Sequence, residues 1–285
     1  MELKEFISGE RFQALADISF IPHGNGVGES ECEFVKTQQT NNNYNSFYYK
    51  PDSIIPNLEN VKTIFVNTWT LPNFLRYIFP QLKGNYTFIS HNSDMGLADE
   101  YLPYLEADTV KKWYGQNKSI NHKKAFSLPI GLGNQQYTHG NLQMIKSVIE
   151  RNITKKNLVF KNFSIDTNFH KRNIIDAITT KNSILMSGKL DQQSYFEAIA
   201  SSAFCISPPG NGIDCHRIWE CLYLKTIPIV ENHKCFDDYR HLPILFVDDW
   251  NQITISFLMS KIHLLDKFDN RINELYMSYW KEQII

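Results

Sequence analysis

The sequence predicts an α/β protein with two successive parallel-sheet domains. Three observations lead there. Short β-branched or aromatic runs alternate with helical stretches from Thr63 onward, a polar segment at 154–157 divides the alternation into two series, and polar residues collect just after the predicted strands. The division expected is a first domain over 1–154, a second over 155–265, and a C-terminal helix over 266–285.

In the first series, strands are expected at 63–67, 86–90 and 125–130. Helical spacing covers 71–82, with Pro72 at an early helix position, then 97–107 and 110–114. A helix over 141–152 leads into the linker. The second series reads as a strand at 158–163, a loop and helix over 166–179, a strand at 183–186, and a helix over 192–203 capped by Asp191. Strands at 204–207, 227–230 and 244–247 follow, then helices over 253–265 and 269–283. The first sixty residues offer less: a strand at 18–21, a glycine-rich loop at 22–28, and an Asn-rich exposed loop at 40–45. The glycine loop lacks the Lys-Ser/Thr of a P-loop and the dinucleotide fingerprint, so it is expected to be a flexible loop at the edge of a cleft, touching an acceptor.

A chain of 285 residues can bury two medium cores. Its 29 Lys and Arg against 30 Asp and Glu leave a formal net charge of -1, so no global field recruits nucleic acid or an anionic membrane. No apolar run is long enough for a membrane span, and the first ten residues are charged rather than signal-like, which predicts a soluble, cytoplasmic chain. Five cysteines without framework spacing read as reduced thiols, with Cys205, Cys215 and Cys221 in or beside apolar faces.

One stretch organises the rest. An apolar run enters the loop Ser207-Pro208-Pro209-Gly210-Asn211-Gly212, and Asp214 stands as a natural N-cap for a helix over 215–225. At about 100° per residue, His216, Arg217 and Glu220 share one arc, opposite Cys215, Ile218, Trp219 and Leu222. Free N–H groups and the helix dipole favour an anion at such a terminus, and glycines admit a phosphate close to the backbone. A diphosphate is the guest expected. Glu220 would suit the two hydroxyls of a ribose, and Arg217 offers a fork of donors to a phosphate leaving group. A glycine turn with a solvated ion pair is the plain alternative. Asp214 has a second option in the sugar hydroxyls, and His216 is read equally as a phosphate contact or as structural.

In open parallel sheets, ligands bind beyond the carboxyl ends of the strands. In the first domain this rule selects Asn67-Thr68-Trp69, His91-Asn92-Ser93-Asp94 and Gly131 to Asn134. In the second it selects Ser187-Gly188-Lys189, Ser207 to Arg217, Glu231-Asn232 and Asp248-Asp249. Two such rims facing each other would form one cleft. No Asp-x-Asp occurs among these acids and the nine histidines lack ligand spacing, so no metal or other cofactor is expected.

The run SPPGNGIDCHRIWECLYLKTIPIV resembles the nucleotide-sugar motif of the exostosin-like glycosyltransferases, especially the short soluble members found in large DNA viruses of algae. The resemblance extends upstream through Phe88 to Asp94, Trp113 to Asn117, Leu128 to Asn134 and His139-Gly140-Asn141, so it covers much of both halves. It implies the GT-B fold, two Rossmann-like domains facing across a cleft, with a C-terminal helix crossing back onto the first. It implies a UDP-sugar donor, UDP-xylose being the first choice, a glycan or glycoprotein acceptor, and inversion at the transferred carbon. Such transfer needs a base for the acceptor hydroxyl, for which Asp94 is named first and His91 second, and cations at the diphosphate, for which Arg217, Lys189 and then Arg172 are candidates. Asn67, Trp69, Trp113 and Tyr114 are the acceptor-side candidates. A non-catalytic carbohydrate- or nucleotide-binding module derived from such an enzyme is the alternative.

Overall fold

The computed structural model describes residues 1–22, 32–36, 47–49 and 58–285. The loops expected at 22–28 and 40–45 lie outside these residues, except for Pro22. The chain forms two compact units that interleave along the sequence: Ser8–Ile130 with Ser278–Ile285, and Met1–Ile7 with Gly131–Met277.

The first unit is built on a seven-stranded sheet. Its strands are β1 (Ile18–Pro22), β2 (Cys32–Lys36), β3 (Phe47–Tyr49), β4 (Thr63–Asn67), β5 (Tyr86–His91), β6 (Val110–Gly115) and β7 (Ala125–Ser127), in the order β3-β2-β1-β4-β5-β6-β7. Strands β1, β4, β5, β6 and β7 run parallel, whereas β2 and β3 pair antiparallel at one edge. Helix α1 (Gly9–Gln13) precedes the sheet. The expected helix over 71–82 is one helical stretch of changing pitch, from α2 (Leu71–Asn73) through a π turn to a 3-10 turn. Helix α3 (Leu102–Leu105) follows β5. One expectation is overturned: 110–114 is strand β6 rather than helix. Val110, Trp113 and Tyr114 have helical spacing, but so short a run cannot separate the two periods. The core decides: Trp113 is buried against Phe88 and Tyr101 and donates through Nε1 to Ser90 Oγ at 3.0 Å.

The second unit carries a four-stranded, wholly parallel sheet, β8 (Asn157–Phe160), β9 (Ser202–Ile206), β10 (Ile227–Glu231) and β11 (Leu245–Val247), paired in chain order. Its helices are α4 (Leu142–Glu150), α5 (Phe169–Lys181), α6 (Gln192–Ala200), α7 (His216–Tyr223) and α8 (Ile255–Ser260). The expected strand at 183–186 is absent. Ser183 has a φ of 65° and Leu185 is left exposed, so the segment makes no ladder; only Ser187 N reaches the edge, donating to Lys161 O at 2.8 Å. Helix α9 (Met277–Ile284) follows, and from Ser278 onward it belongs to the first unit. There Tyr114 Oη donates to Gln283 O at 2.7 Å and Trp280 meets Phe12 edge-on.

By this division the chain passes between units at Ile130, not near residue 155. Leu132 N donates to Ile7 O at 2.9 Å, Ile7 N donates to Tyr223 Oη at 2.9 Å, and that hydroxyl donates to Leu275 O at 2.6 Å. Gly131 has a φ of 69°, and a Cβ there would stand 2.7 Å from Ile7 O, so glycine is required twice over. The 154–157 segment, expected as a polar linker, is tied down: Lys155 Nζ donates to Thr226 Oγ1 at 2.6 Å and Leu224 O at 3.2 Å. Among the described residues no helix is long and apolar enough to cross a membrane.

Burial pushes the Lys155 ammonium down from 10.5 to about 8. Between those values the unfolded chain binds more protons than the native one, so the lysine's contribution to stability is full above the unfolded value and lost as pH falls to about 8. The cost of the charged form below that point is on the order of 3 kcal/mol. Denaturant unfolding at pH 7.5 and pH 9.5 should therefore show a rise in stability with pH that shrinks in Lys155→Met. An identical rise in both proteins would remove Lys155 as its source.

Candidate functional site

Strand β9 is fully buried and ends at Ile206, and the N–H of the following Ser207 donates to Ile229 O at 2.9 Å. The next two residues are prolines, so the loop has lost two of its own donors while keeping their carbonyls. Arg172, from α5 and only 5% exposed, supplies the missing donors. Its Nε donates to Pro209 O at 2.9 Å, Nη1 to Ser164 O at 2.7 Å and Nη2 to Pro208 O at 3.5 Å. Asn168 Nδ2 adds a bond to Gly210 O at 2.8 Å, and Gly210 N closes on Gly212 O at 2.9 Å. Burial first, and then Arg217, work against the charge on Arg172. Its role is thus to shape the loop rather than to face a ligand. Only Asn211 of the stretch 207–212 is exposed.

Helix α7 begins at His216, and its N-cap is Cys215 with no side-chain capping bond, not Asp214. Asp214 is turned inward, where both carboxylate oxygens accept from Trp219 Nε1, at 2.8 and 3.1 Å. A buried indole N–H needs an acceptor, and Trp219 is fully buried, so that demand displaces the cap. His216 Nδ1 donates to Gly131 O at 2.8 Å, which brings the glycine stretch 131–134, expected on the first domain's rim, to the start of α7.

On the face expected to be polar, Glu220 is 6% exposed and Arg217 is half-buried. Tyr195 of α6 stands between them: Arg217 Nε donates to its hydroxyl at 3.1 Å, and that hydroxyl donates to Glu220 Oε2 at 2.9 Å. Burial raises the Glu220 carboxyl, against the pull of Arg217, Tyr195 and His139. Desolvation works against the Arg217 cation, but Tyr195, Cys205, Cys215 and Glu220 outweigh it and hold the guanidinium charged. Sequence reasoning missed Tyr195, and it carried His139 only within the matched segment, without a role. The first has no local signal, since its partners lie 22 and 25 residues away. Ser187, Gly188 and Lys189 follow the segment beside β8. Ser187 and Gly188 present their carbonyls to Asn162 Nδ2, at 3.4 and 2.9 Å, and Lys189 is exposed.

The first unit places its candidates differently. Asn67 caps the turn after β4, accepting from Trp69 N at 3.0 Å, and Trp69 is 47% exposed. Asp94 is exposed in the loop after β5, its carbonyl accepting from Asn117 Nδ2 at 3.2 Å. His91 is 1% exposed: Nε2 meets Pro129 O at 3.0 Å, and Nδ1 accepts from Asn92 N at 2.7 Å. Trp113 and Tyr114, expected to meet an acceptor, are core side chains instead, Tyr114 stacking on Phe126. Among the described residues no group of three or more His, Cys, Asp or Glu is placed to hold a metal ion.

Fold and site together define an α/β protein of two parallel-sheet units, one of which presents a clamped glycine loop and a partly buried Arg-Tyr-Glu row after a strand end. No family model matches the chain, and no curated protein does. Among solved structures, the N-terminal domain of Candida albicans trehalose-6-phosphate phosphatase is similar at 12% identity and a TM-score of 0.42, over 78% of this chain and 68% of that one.

Removing the Arg172 fork should leave several buried carbonyls without a donor. Arg172→Met should cost about 2–3 kcal/mol in urea unfolding, and Arg172→Lys should recover only part, because a single ammonium cannot reproduce the fork. Unchanged stability in the methionine variant would show that the loop holds its shape without the clamp.

Proposed function

We propose that the protein is an inverting glycosyltransferase of the GT-B type that moves a sugar from a UDP-sugar, with UDP-xylose the first choice, to a hydroxyl of a glycan or glycoprotein. The observation that carries this reading is the Arg217-Tyr195-Glu220 row beside the clamped loop. It sets a cation and a carboxylate on one face of α7, and in this reading the loop backbone and the helix N-terminus beside them would take a diphosphate. In this reading Glu220 accepts from the ribose, and Arg217 with Lys189 bears the charge of the departing diphosphate. The acceptor oxygen bonds to the anomeric carbon as the bond from that carbon to the diphosphate oxygen breaks. The acceptor's proton passes to the base, for which exposed Asp94 stands ahead of His91, whose ring nitrogens are already engaged.

A non-catalytic binding module is the second reading. The burial of His91, Trp113 and Tyr114 favours it, since it thins the acceptor-side candidates.

Calorimetric titration of UDP, GDP and ADP in the presence of a chelator separates these outcomes from an empty turn. UDP should bind selectively, and Glu220→Ala should weaken it roughly tenfold to a hundredfold, the range of a hydrogen bond to a charged group. Transfer from UDP-xylose that disappears in Asp94→Asn, with UDP affinity kept, would favour the enzyme. Binding with no transfer from any UDP-sugar would favour the module, and no nucleotide binding would defeat the transferase and move a carbohydrate-binding module ahead.

A further inference from the structure

Tyr137 is 52% exposed, yet both its backbone and its ring are held. Its N–H donates to Asn134 O and its carbonyl accepts from Gly140 N, both at 2.9 Å. Gly140 makes this turn possible, since a Cβ there would stand 2.0 Å from Asn134 O. The phenol ring lies parallel to the His139 imidazole, with centroids 5.3 Å apart and planes 3° apart. The His139 carbonyl accepts from Gln192 Nε2 at 2.9 Å, and its ring stands 5.5 Å from that of His216, the first residue of α7. Burial, and then His216, hold the His139 imidazole below its ordinary value, so at pH 7 it backs the phenol as a neutral ring.

Ordering a side chain costs entropy, and an exposed ring recovers little of it through burial. A ring fixed in this way and left open is preorganised for a flat partner. Under the donor-site reading, the row of rings starts at the residue beside the diphosphate, while the nucleoside is taken by Glu220 on the next turn. The group that meets the row is then the one on the other side of the diphosphate. We propose that Tyr137, backed by His139, is the platform on which the apolar face of the transferred pyranose ring stacks. The inference rests on the donor-site reading and adds the residue that would grip the sugar. Tyr137 rather than Trp113 or Tyr114 thereby becomes the carbohydrate-facing aromatic.

Calorimetry with UDP, UDP-xylose and UDP-glucose on the full chain, Tyr137→Ala and Tyr137→Phe tests it. The alanine variant should bind both UDP-sugars about five- to tenfold more weakly while binding UDP as before, and the phenylalanine variant should match the parent. Equal weakening of UDP and UDP-sugars, or no change in any of them, overturns the platform. If the parent chain binds no nucleotide, the donor-site reading has failed by itself. Saturation-transfer NMR with methyl β-xyloside and methyl β-glucoside then decides the platform: ring-proton signals that vanish in Tyr137→Ala sustain it, and their absence in the parent overturns it.

Discussion

The shape of the loop after β9 depends on one side chain meeting a shortage. Two consecutive prolines stiffen the chain where it leaves the sheet, and they also leave carbonyls that the loop cannot satisfy itself. Arg172 resolves this from a different element, with its planar fork spread over the carbonyls of Pro208, Pro209 and Ser164. Everything downstream inherits that geometry: the turn through Gly210 and Gly212, the inward Asp214, and the position from which α7 sets out. A buried cation used wholly on backbone oxygens is a positioning device, and it frees Arg217 to be the cation on the helix face.

The alternation of short runs was enough to read two parallel sheets and every strand of the second, with one strand too many at 183–186. The failures were local and share one cause, namely that tertiary partners outweigh local pattern. At 110–114 the spacing was helical, but Trp113 had a place between Phe88 and Tyr101 that only a strand could fill. At 183–186 the residues looked extended, yet Leu185 had nothing to pack against. Asp214 had the right type and position for a cap, and a buried tryptophan five residues on claimed it.

The candidate site was legible in part. Arg217 and Glu220 could be placed on one face from spacing alone, because helical period is a local property. That Tyr195 joins them could not be read, since the contact joins two helices whose partners lie more than twenty residues apart in sequence. The same holds for the lysines. Lys155 fell in the expected linker and Lys161 within the expected strand at 158–163; in the fold Lys155 is bound to Thr226, and Lys161 is buried against Asp176, Thr179 and Thr180. A charged residue in sequence announces its chemistry but not its depth.

The interleaving of the two units bears on how the chain is made. Residues Met1–Ile7 precede the first sheet in sequence, yet Ile7 bonds to Leu132 and Tyr223, which are made only after that sheet. The first sheet likewise waits for Ser278–Ile285 to supply the Gln283 carbonyl and the Trp280 ring. Neither unit is a contiguous stretch, so a cut at Ile130 would leave each half short of a segment held by the other. Both sheets can form before Ser278–Ile285 is made, and a nascent chain stalled short of that stretch would leave Phe12 without Trp280 and Tyr114 without the Gln283 carbonyl.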